Sequence, residues 1–577
     1  MANTQPYGQN VQTAYEELIV SESLQEFQEM QADRNIFASH WDETAQLILP
    51  TSRNTFMFGN YNTPGQKKTD RQVDATGMLA LSRFGAICDS LLTPNNSYWH
   101  GLRAEDDYIW KDRATRLWYE QVTRKLFTMR YAPAANFISQ NQQKYQSIGA
   151  FGNTGLFIDE LDSAVTGTRG YRYKCVPLGE LFFHENHQGM PDGFIRWFRL
   201  TARQAKQKWP DTFPATLQSA LDQNSQQKFD FLHRVCLRKD YDPQRLDMKG
   251  KRFASYYISM DAKTLLQEGG YRSFPMDILR YDQAPGEVYG RGPAQLVLPA
   301  LKTLNAEKRT FLKQGHRAGD PVLLTSDDGL MSFDLTPGAQ NPGGMSSDGK
   351  PLVGVLPTGN IQTTKEMMDE ERQLINDAFL VTLFQILTET PQMSATEVIE
   401  RTNEKGILMA PTVGRLRPDA QIDREMEMGL ANGWFPPIPP RLREAMKAGK
   451  VVHSTIHTSP LSKAAQAQEA AGFMRTVETV KELVAVTQDQ SLLDPFDFDE
   501  ATRGIADIQS VRESWMADDK KIAAKRQNRA DQARRQEMIQ AAPAAAAMMK
   551  ARAASGAGGL TAAPAQAPAQ AGAPLTG

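Results

Sequence analysis

The clearest chemical spacing in the chain is Gly344-Met-Ser-Ser-Asp-Gly349-Lys350, which matches the G-x4-G-K pattern of a phosphate-binding loop. Such a loop cradles phosphate oxygens on backbone N–H groups and needs a buried strand before it, a helix after it, and Ser or Thr beside the Lys for magnesium. Here Pro351 takes the Ser/Thr place, Asn341-Pro342-Gly343 precedes the loop, and a strand-like piece follows. The context predicts an ordinary flexible loop. His184, Glu185 and His187 in FFHENHQG could be metal ligands, but the helical H-E-x-x-H spacing is absent and no third ligand lies nearby. They read as polar residues at a strand end. No G-x-S-x-G elbow, CxxC pair or G-x-G-x-x-G loop occurs, and the 8 His and 3 Cys assemble no nucleophile and base. The sequence therefore predicts no catalytic constellation, no metal site and no cofactor.

Two charged features remain. Between residues 520 and 540 stand Lys520, Lys521, Lys525, Arg526, Arg529, Arg534 and Arg535, against only Asp531 and Glu537. Such a run is either a solvated helix face or a contact for a nucleic-acid backbone, and alone it favours the solvated face. Asp320, Asp327, Asp328, Asp334 and Asp348 cluster in a Gly/Pro-rich stretch, as a solvated loop or a docking face for a basic partner.

The elements that must position these residues belong to a chain of 577 residues, 41% hydrophobic and 23% charged, enough for a sizeable core. Lys and Arg total 65 against 67 Asp and Glu, a formal charge of -2. That balance excludes a protein that coats nucleic acid through a general basic surface. Cys88, Cys175 and Cys236 are far apart and odd in number, so a disulfide framework is not expected. No signal peptide is visible at the N-terminus, and the longest apolar run, Phe379–Leu387, is far short of the ~20 residues a membrane span needs. A soluble, intracellularly made chain is the expectation.

Apolar periodicity predicts helices over 12–49, 73–92, 109–129 and 136–148. From Phe157 to Phe198 the pattern becomes strand-like (GLFIDE, YRYKCVPL, ELFFHEN, GFIRWFRL), continued by VCLRKDY and RFASYYISMD. The first 290 residues or so thus read as one mixed α+β domain. Pro293–His316 and Thr364–Leu387 read as two long helices enclosing Asp320–Asn360, a Gly/Pro/Asp-rich stretch with short apolar pieces. Helix out, small β module, helix back is the pattern of a stalk with a knob. Ser394 to Glu397 has the form of a capping box, Trp434–Pro440 is a Pro-rich turn, and helices resume at 460–488 and 499–540. Residues 541–577 are a low-complexity Ala/Gly/Pro tail with little to bury.

Several segments resemble the portal, or head-to-tail connector, proteins of short-tailed double-stranded DNA bacteriophages. They are SLLTPNNSYWHGL (90–102), GAFGNTGLFIDE (149–160), FIRWFRLTARQA (194–205), GEVYGRGPAQLVLPALKTLN (286–305), TPQMSATEVIERTNEKG (390–406) and TSPLSKAAQAQEA (458–470). The YGRGPA and MSATEV stretches are the most specific.

The resemblance implies an α+β, mainly helical subunit that assembles into a ring, usually a dodecamer, at one capsid vertex. It implies a wing at 1–292, stem helices at 293–317 and 363–387, and a β-rich clip at 318–362. A tunnel loop at 388–396, a wing or channel helix at 397–430 and a crown at 431–498 would follow, then a C-terminal barrel helix at 499–540 and the tail at 541–577. Thr390, Gln392, Met393 and Ser394 would belong to the tunnel loop, and Asp327, Asp328, Asp334, Asp348 and Lys350 to the clip's docking face. Lys520, Lys521, Lys525, Arg526 and Arg529 would be possible DNA contacts. The implied partners are further copies of the chain, the terminase packaging motor, a tail adaptor, capsid and scaffolding proteins, and DNA passing through the channel, with no membrane. The implied location is the virion, after assembly in the host cytoplasm. The residues leave two other readings open: a peripheral scaffold or tail component binding DNA through 520–540, and a nucleotide-dependent packaging enzyme resting on Gly344–Lys350.

Overall fold

A computed structural model describes residues 7–61, 63, 65–161, 167–325, 334–357, 359–382, 414–448, 453–458, 460–487, 495–508, 511 and 513–555. Its contacts divide the chain into two units, Met1–Val511 and Arg512–Gly577. The first opens with helix α1 (Tyr7–Ile48), whose Ile19, Val20, Phe27, Met30, Ala38, Trp41, Ala45 and Ile48 recur at helical spacing and are buried. Arg34 interrupts that face and is buried too. Its guanidinium donates to the carbonyls of Leu178 (2.9 Å), Leu181 (2.8 Å) and Phe56 (2.6 Å) and lies 3.6 Å over the Phe182 ring. Burial lowers Arg34 to about 10, so it still carries its charge, and its buried N–H groups are met by backbone carbonyls.

Helix α2 (Thr76–Leu92), strand β1 (His100–Arg103), α3 (Asp107–Trp110), α4 (Arg113–Arg130) and α5 (Phe137–Phe151) follow. The predicted helix over 109–129 is two helices. Asp106 caps α3 through the Tyr108 N–H and Asp112 caps α4 through the Thr115 N–H, which restarts the helix with a new axis. Strands β2 (Asn153–Glu160), β3 (Tyr171–Val176), β4 (Leu181–Glu185), β5 (Pro191–Thr201), β6 (Lys228–Leu237), β7 (Phe253–Ser259), β8 (Thr264–Tyr271) and β9 (Met276–Arg280) make two antiparallel sheets. One has the order β3-β2-β9, the other β4-β5-β6-β7-β8; helices α6 (Ala202–Lys208) and α7 (Gln218–Asp222) lie in the β5–β6 connection. The strand-rich reading of 157–260 holds, and β8 and β9 extend it.

Next come α8 (Pro293–Leu296), α9 (Leu298–Gly319), β10 (Leu323–Thr325), β11 (Val353–Val355) and α10 (Ile361–Ala378). Then α11 (Asp419–Ala431), α12 (Pro440–Lys447) and β12 (Ser454–His457) fold back on the N-terminal body. β12 pairs antiparallel with β1, His100 opposite His457, and Trp118 Nε1 donates to the Pro436 carbonyl at 3.0 Å. Ile422, Met426, Leu442 and Ala445 share one apolar core with α4 and β3. Residues 434–448 and 453–457 are thus built into the body, a placement that local sequence pattern does not reveal. Helices α13 (Pro460–Thr487) and α14 (Phe498–Ile508) end the first unit.

The second unit consists, among the described residues, of a short 3-10 turn at Glu513–Trp515 and the helix α15 (Asp519–Ser555). The expected single helix over 499–540 is therefore divided. At its other end the helix runs on past Gln540, because the Ala-rich stretch from Ala541 has the highest intrinsic helix propensity.

Candidate functional site: a stalk, its root and its knob

The root of the stalk forms where two of the quoted segments meet. Helix α5 ends at Gly152, whose φ of +72° is left-handed and whose Cα lies directly against the Arg291–Gly292 backbone. A Cβ there would collide with the Arg291 carbonyl carbon, so glycine is required on both counts. Asn153, fully buried, clamps the crossing. Its Nδ2 donates to the carbonyls of Phe151 and Gly290, both at 2.8 Å, and its Oδ1 accepts from the Gly290 N–H at 2.7 Å. The GAFGN and YGRGP stretches are thus two halves of one joint from which α8 and α9 leave the body.

The first stalk helix departs from the expected unbroken run 293–317. It breaks at Val297, because Pro299 has no N–H to donate and can only sit in the first turn of a new helix. Ala300, Leu301 and Leu304 anchor the base of α9 in the body core. Asn305 Oδ1 accepts from the Val73 N–H at 2.8 Å, and Lys302 pairs with Glu43. The second helix, expected over 364–387, is interrupted within its described part, and residues 383–387 lie outside the described residues. α10 stops at Ala378, where Leu380 turns left-handed at φ +61° while Phe379 and Val381 are buried in the body core. Arg372 holds this base to Asp74 at 3.0 Å. Between the helices Thr364 donates to Gln314 Oε1 at 3.1 Å. Partial burial, with Glu371 facing it, raises the Glu307 carboxyl above its ordinary value.

At the tip, β10 and β11 pair antiparallel over three residues each, Leu323 opposite Val355. The G-x4-G-K stretch is spent on its own turn. The Ser346 N–H donates to the Lys350 carbonyl (2.8 Å), Gly349 N–H to Ser346 (3.0 Å) and Leu352 N–H to Gly344 (3.0 Å). These amides point into the turn instead of converging on an anion, and no helix N-terminus follows. Asp334 accepts from the N–H (3.0 Å) and hydroxyl (2.6 Å) of Thr336, which hold its carboxyl below the usual range; this aspartate shapes its own loop. Asp348 and Lys350 are exposed; Asp327 and Asp328 lie outside the described residues. The knob also exposes Leu335, Met345, Leu352 and Val355, a large apolar share for so small a module.

Thr390, Gln392, Met393 and Ser394 fall outside the described residues. Helix α11 is held by a buried polar hub. The Arg130 guanidinium pairs with Glu425, both fully buried, and donates to His100 Nε2 at 2.9 Å. Tyr173 Oη (2.7 Å) and Gln421 Nε2 (2.8 Å) donate to the same carboxylate, and Tyr171 Oη donates to the Glu425 carbonyl (2.8 Å). Burial disfavours the Arg130 charge, but Glu425 more than restores it; burial and the Arg130 charge keep His100 neutral. A second buried pair, Lys144–Asp277 at 2.7 Å, joins α5 to β9. Sequence reasoning found none of these groups, since the partners stand 295 and 133 residues apart without any motif.

His184 lies between Glu26 (3.2 Å) and Asp192 (2.7 Å), while Glu185 pairs with Arg280, and among the described residues no group of three His, Cys, Asp or Glu could hold a metal ion. Among them, too, no helix is long and apolar enough to cross a membrane. Lys520, Lys521, Lys525, Arg526 and Arg529 lie together on α15, on exposed positions.

A stalk rooted in an α+β body, tipped by a small β module, defines a structural subunit of the connector kind. The family model described as bacteriophage head to tail connecting protein matches residues 21–516, and the chain belongs to that family. It is 25% identical over 531 residues to the "Probable portal protein" of Bordetella phage BPP-1, covering 88% of this chain and 91% of the relative. Among solved structures, the neck of an empty gene transfer agent particle is matched over 69% of this chain and 85% of that one, at 11% identity and a TM-score of 0.30. The virion of the native gene transfer agent particle is matched over 70% and 85%, at 10% identity and a TM-score of 0.31. The protein is a portal-type head–tail connector of a phage virion, structural and not an enzyme.

Proposed function

We propose that copies of this chain close into a ring at one capsid vertex, through whose channel DNA enters during packaging and leaves during ejection. In this reading the knob is the clip that docks the terminase motor during filling and the tail adaptor afterwards, the body is the wing held by capsid and scaffolding proteins, and residues 388–396 line the channel. The observation that carries it is the stalk of α9 and α10, anchored at its base by buried apolar residues and ion pairs and ending in a module with exposed apolar side chains. The near-neutral charge suits a conduit, since each phosphate neutralised by the wall would add affinity and slow the passing DNA. Motor ATP hydrolysis falls to the partner, in keeping with a G-x4-G-K turn closed on its own amides.

Particle images of the purified chain test the reading. A closed ring with a central channel is expected, and its mass divided by 64.4 kDa gives the copy number, for which twelve is the expectation from the family resemblance. A chain that stays monomeric under all conditions that support head assembly overturns the reading. The exposed basic positions on α15 favour one second reading, a peripheral virion component that binds DNA through this helix.

A further inference from the structure

We propose that the outer faces of α9 and α10 are the two halves of one interface between neighbouring copies of this chain, joined by ion pairs at matched heights along the stalk. The inference rests on the ring reading above. The two helices carry opposite charge: α9 has five Lys and Arg against Glu307 alone, whereas α10 has five Asp and Glu against Lys365 and Arg372. Among the described residues no ion pair joins α9 to α10, so this complementarity is not used within one chain.

The charges form stripes. Arg309, Lys313 and Arg317 recur every four residues and are all exposed; one Arg309 N–H goes to the Arg71 carbonyl (2.7 Å), while among the described residues Lys313 and Arg317 meet no acid. On α10, Glu366, Glu370 and Asp377 share the face opposite the buried Met368 and Ile375 and are exposed. Their heights can be compared because Thr364 bonds Gln314 and Glu371 faces Glu307 in a single antiparallel register, one residue up α9 for each residue down α10. In that register Glu366 is level with Leu312 and Glu370 with Lys308. Lys313 and Arg309 are therefore each one residue away in height, about 1.5 Å.

Rotation about an axis that runs along the stalk carries one copy onto the next without changing height. The basic stripe of one copy then meets the acidic stripe of the next, in a head-to-tail contact of the kind that closes rings. Leu312, Met367 and Leu374, between 42% and 53% exposed, flank the stripes and would be covered. DNA would satisfy the basic stripe alone and would leave both the acidic stripe and the matched heights without a role.

Two reversals, Lys313→Glu and Glu366→Lys, test the interface in the full chain, with ring formation followed by mass photometry over protein concentration and salt. Each alone replaces attraction by repulsion at every contact and should raise the half-assembly concentration roughly fivefold or more. An equimolar mixture of the two should recover assembly, because alternating copies restore both faces, and so should the chain carrying both changes. Unchanged melting of the unassembled chains controls for folding. Wild-type rings with variants that assemble equally well, or a mixture that fails to recover, overturn this interface while leaving the ring intact. Variant rings of normal stability that differ only in DNA retention overturn it in favour of a DNA-facing stripe. A wild-type chain that never forms rings instead defeats the reading on which the interface rests.

Discussion

At the scale of single residues, the strongest commitments are buried charges. Glu425 is the acceptor for Arg130, Tyr173 and Gln421 at once. Glu425→Ala should destabilise the first unit by about 3–5 kcal/mol, since it strands a buried guanidinium, and urea unfolding measures it. Replacing both Arg130 and Glu425 by Met should cost less than the two single changes summed; strict additivity would show that the pair acts independently. His184 offers a pH signature. The Glu26 hydrogen bond, opposed by burial, raises its imidazole above 6.5, whereas burial opposes the Glu26 charge but His184 and Arg234 bring that carboxyl below 4.5. The raised histidine contributes fully below 6.5, and its contribution is lost as the pH rises through the folded value. The lowered glutamate contributes above 4.5, and that is lost as the pH falls through its folded value. The urea midpoint should thus decline as the pH climbs past 6.5, and His184→Gln should flatten the decline. An unaltered slope in the variant would assign the dependence elsewhere.

At the scale of elements, the stalk's direction is decided at one crossing. Gly152→Ala adds a Cβ both to a left-handed residue and into the Arg291–Gly292 backbone, and should cost about 3 kcal/mol. Gly59, at φ +82° with open space around its Cα, is the control: alanine there should cost about 1 kcal/mol, from backbone strain alone. Equal losses at the two sites, read from urea midpoints, would show that the crossing adds nothing. The helix-out, helix-back pattern and the β content of the knob were legible in sequence because apolar periodicity and Gly/Pro punctuation are local. The break at Val297 was half legible, through Pro299. The stop at Ala378 was not, because Phe379 and Val381 continue an apolar run and only the body core that receives them turns the chain.

For the whole molecule, the division of contacts near Val511 separates the basic helix from the body. A chain ended after Asp519 should therefore keep its fold and its ring. It should lose the salt-dependent part of DNA binding, whose slope falls by about 0.9 per phosphate contact removed. DNA affinity and slope equal to those of the full chain, in a titration over NaCl, would remove α15 from consideration as a DNA contact. The near-zero net charge of the chain conceals strong local opposites, a basic α9 beside an acidic α10, and it is this segregation that can build an assembly.

By itself the sequence determined the class of the fold, the absence of a catalytic motif and the family, because these rest on composition, periodicity and segments of contiguous residues. Tertiary structure alone decided the joint of Gly152 with Gly292, the Arg130–Glu425 hub, the pairing of β1 with β12 and the common height of the stalk charges. Each of these depends on which distant residues share a place, and the free energy of burying a charge or closing two backbones is set by that neighbourhood, which no local spacing encodes.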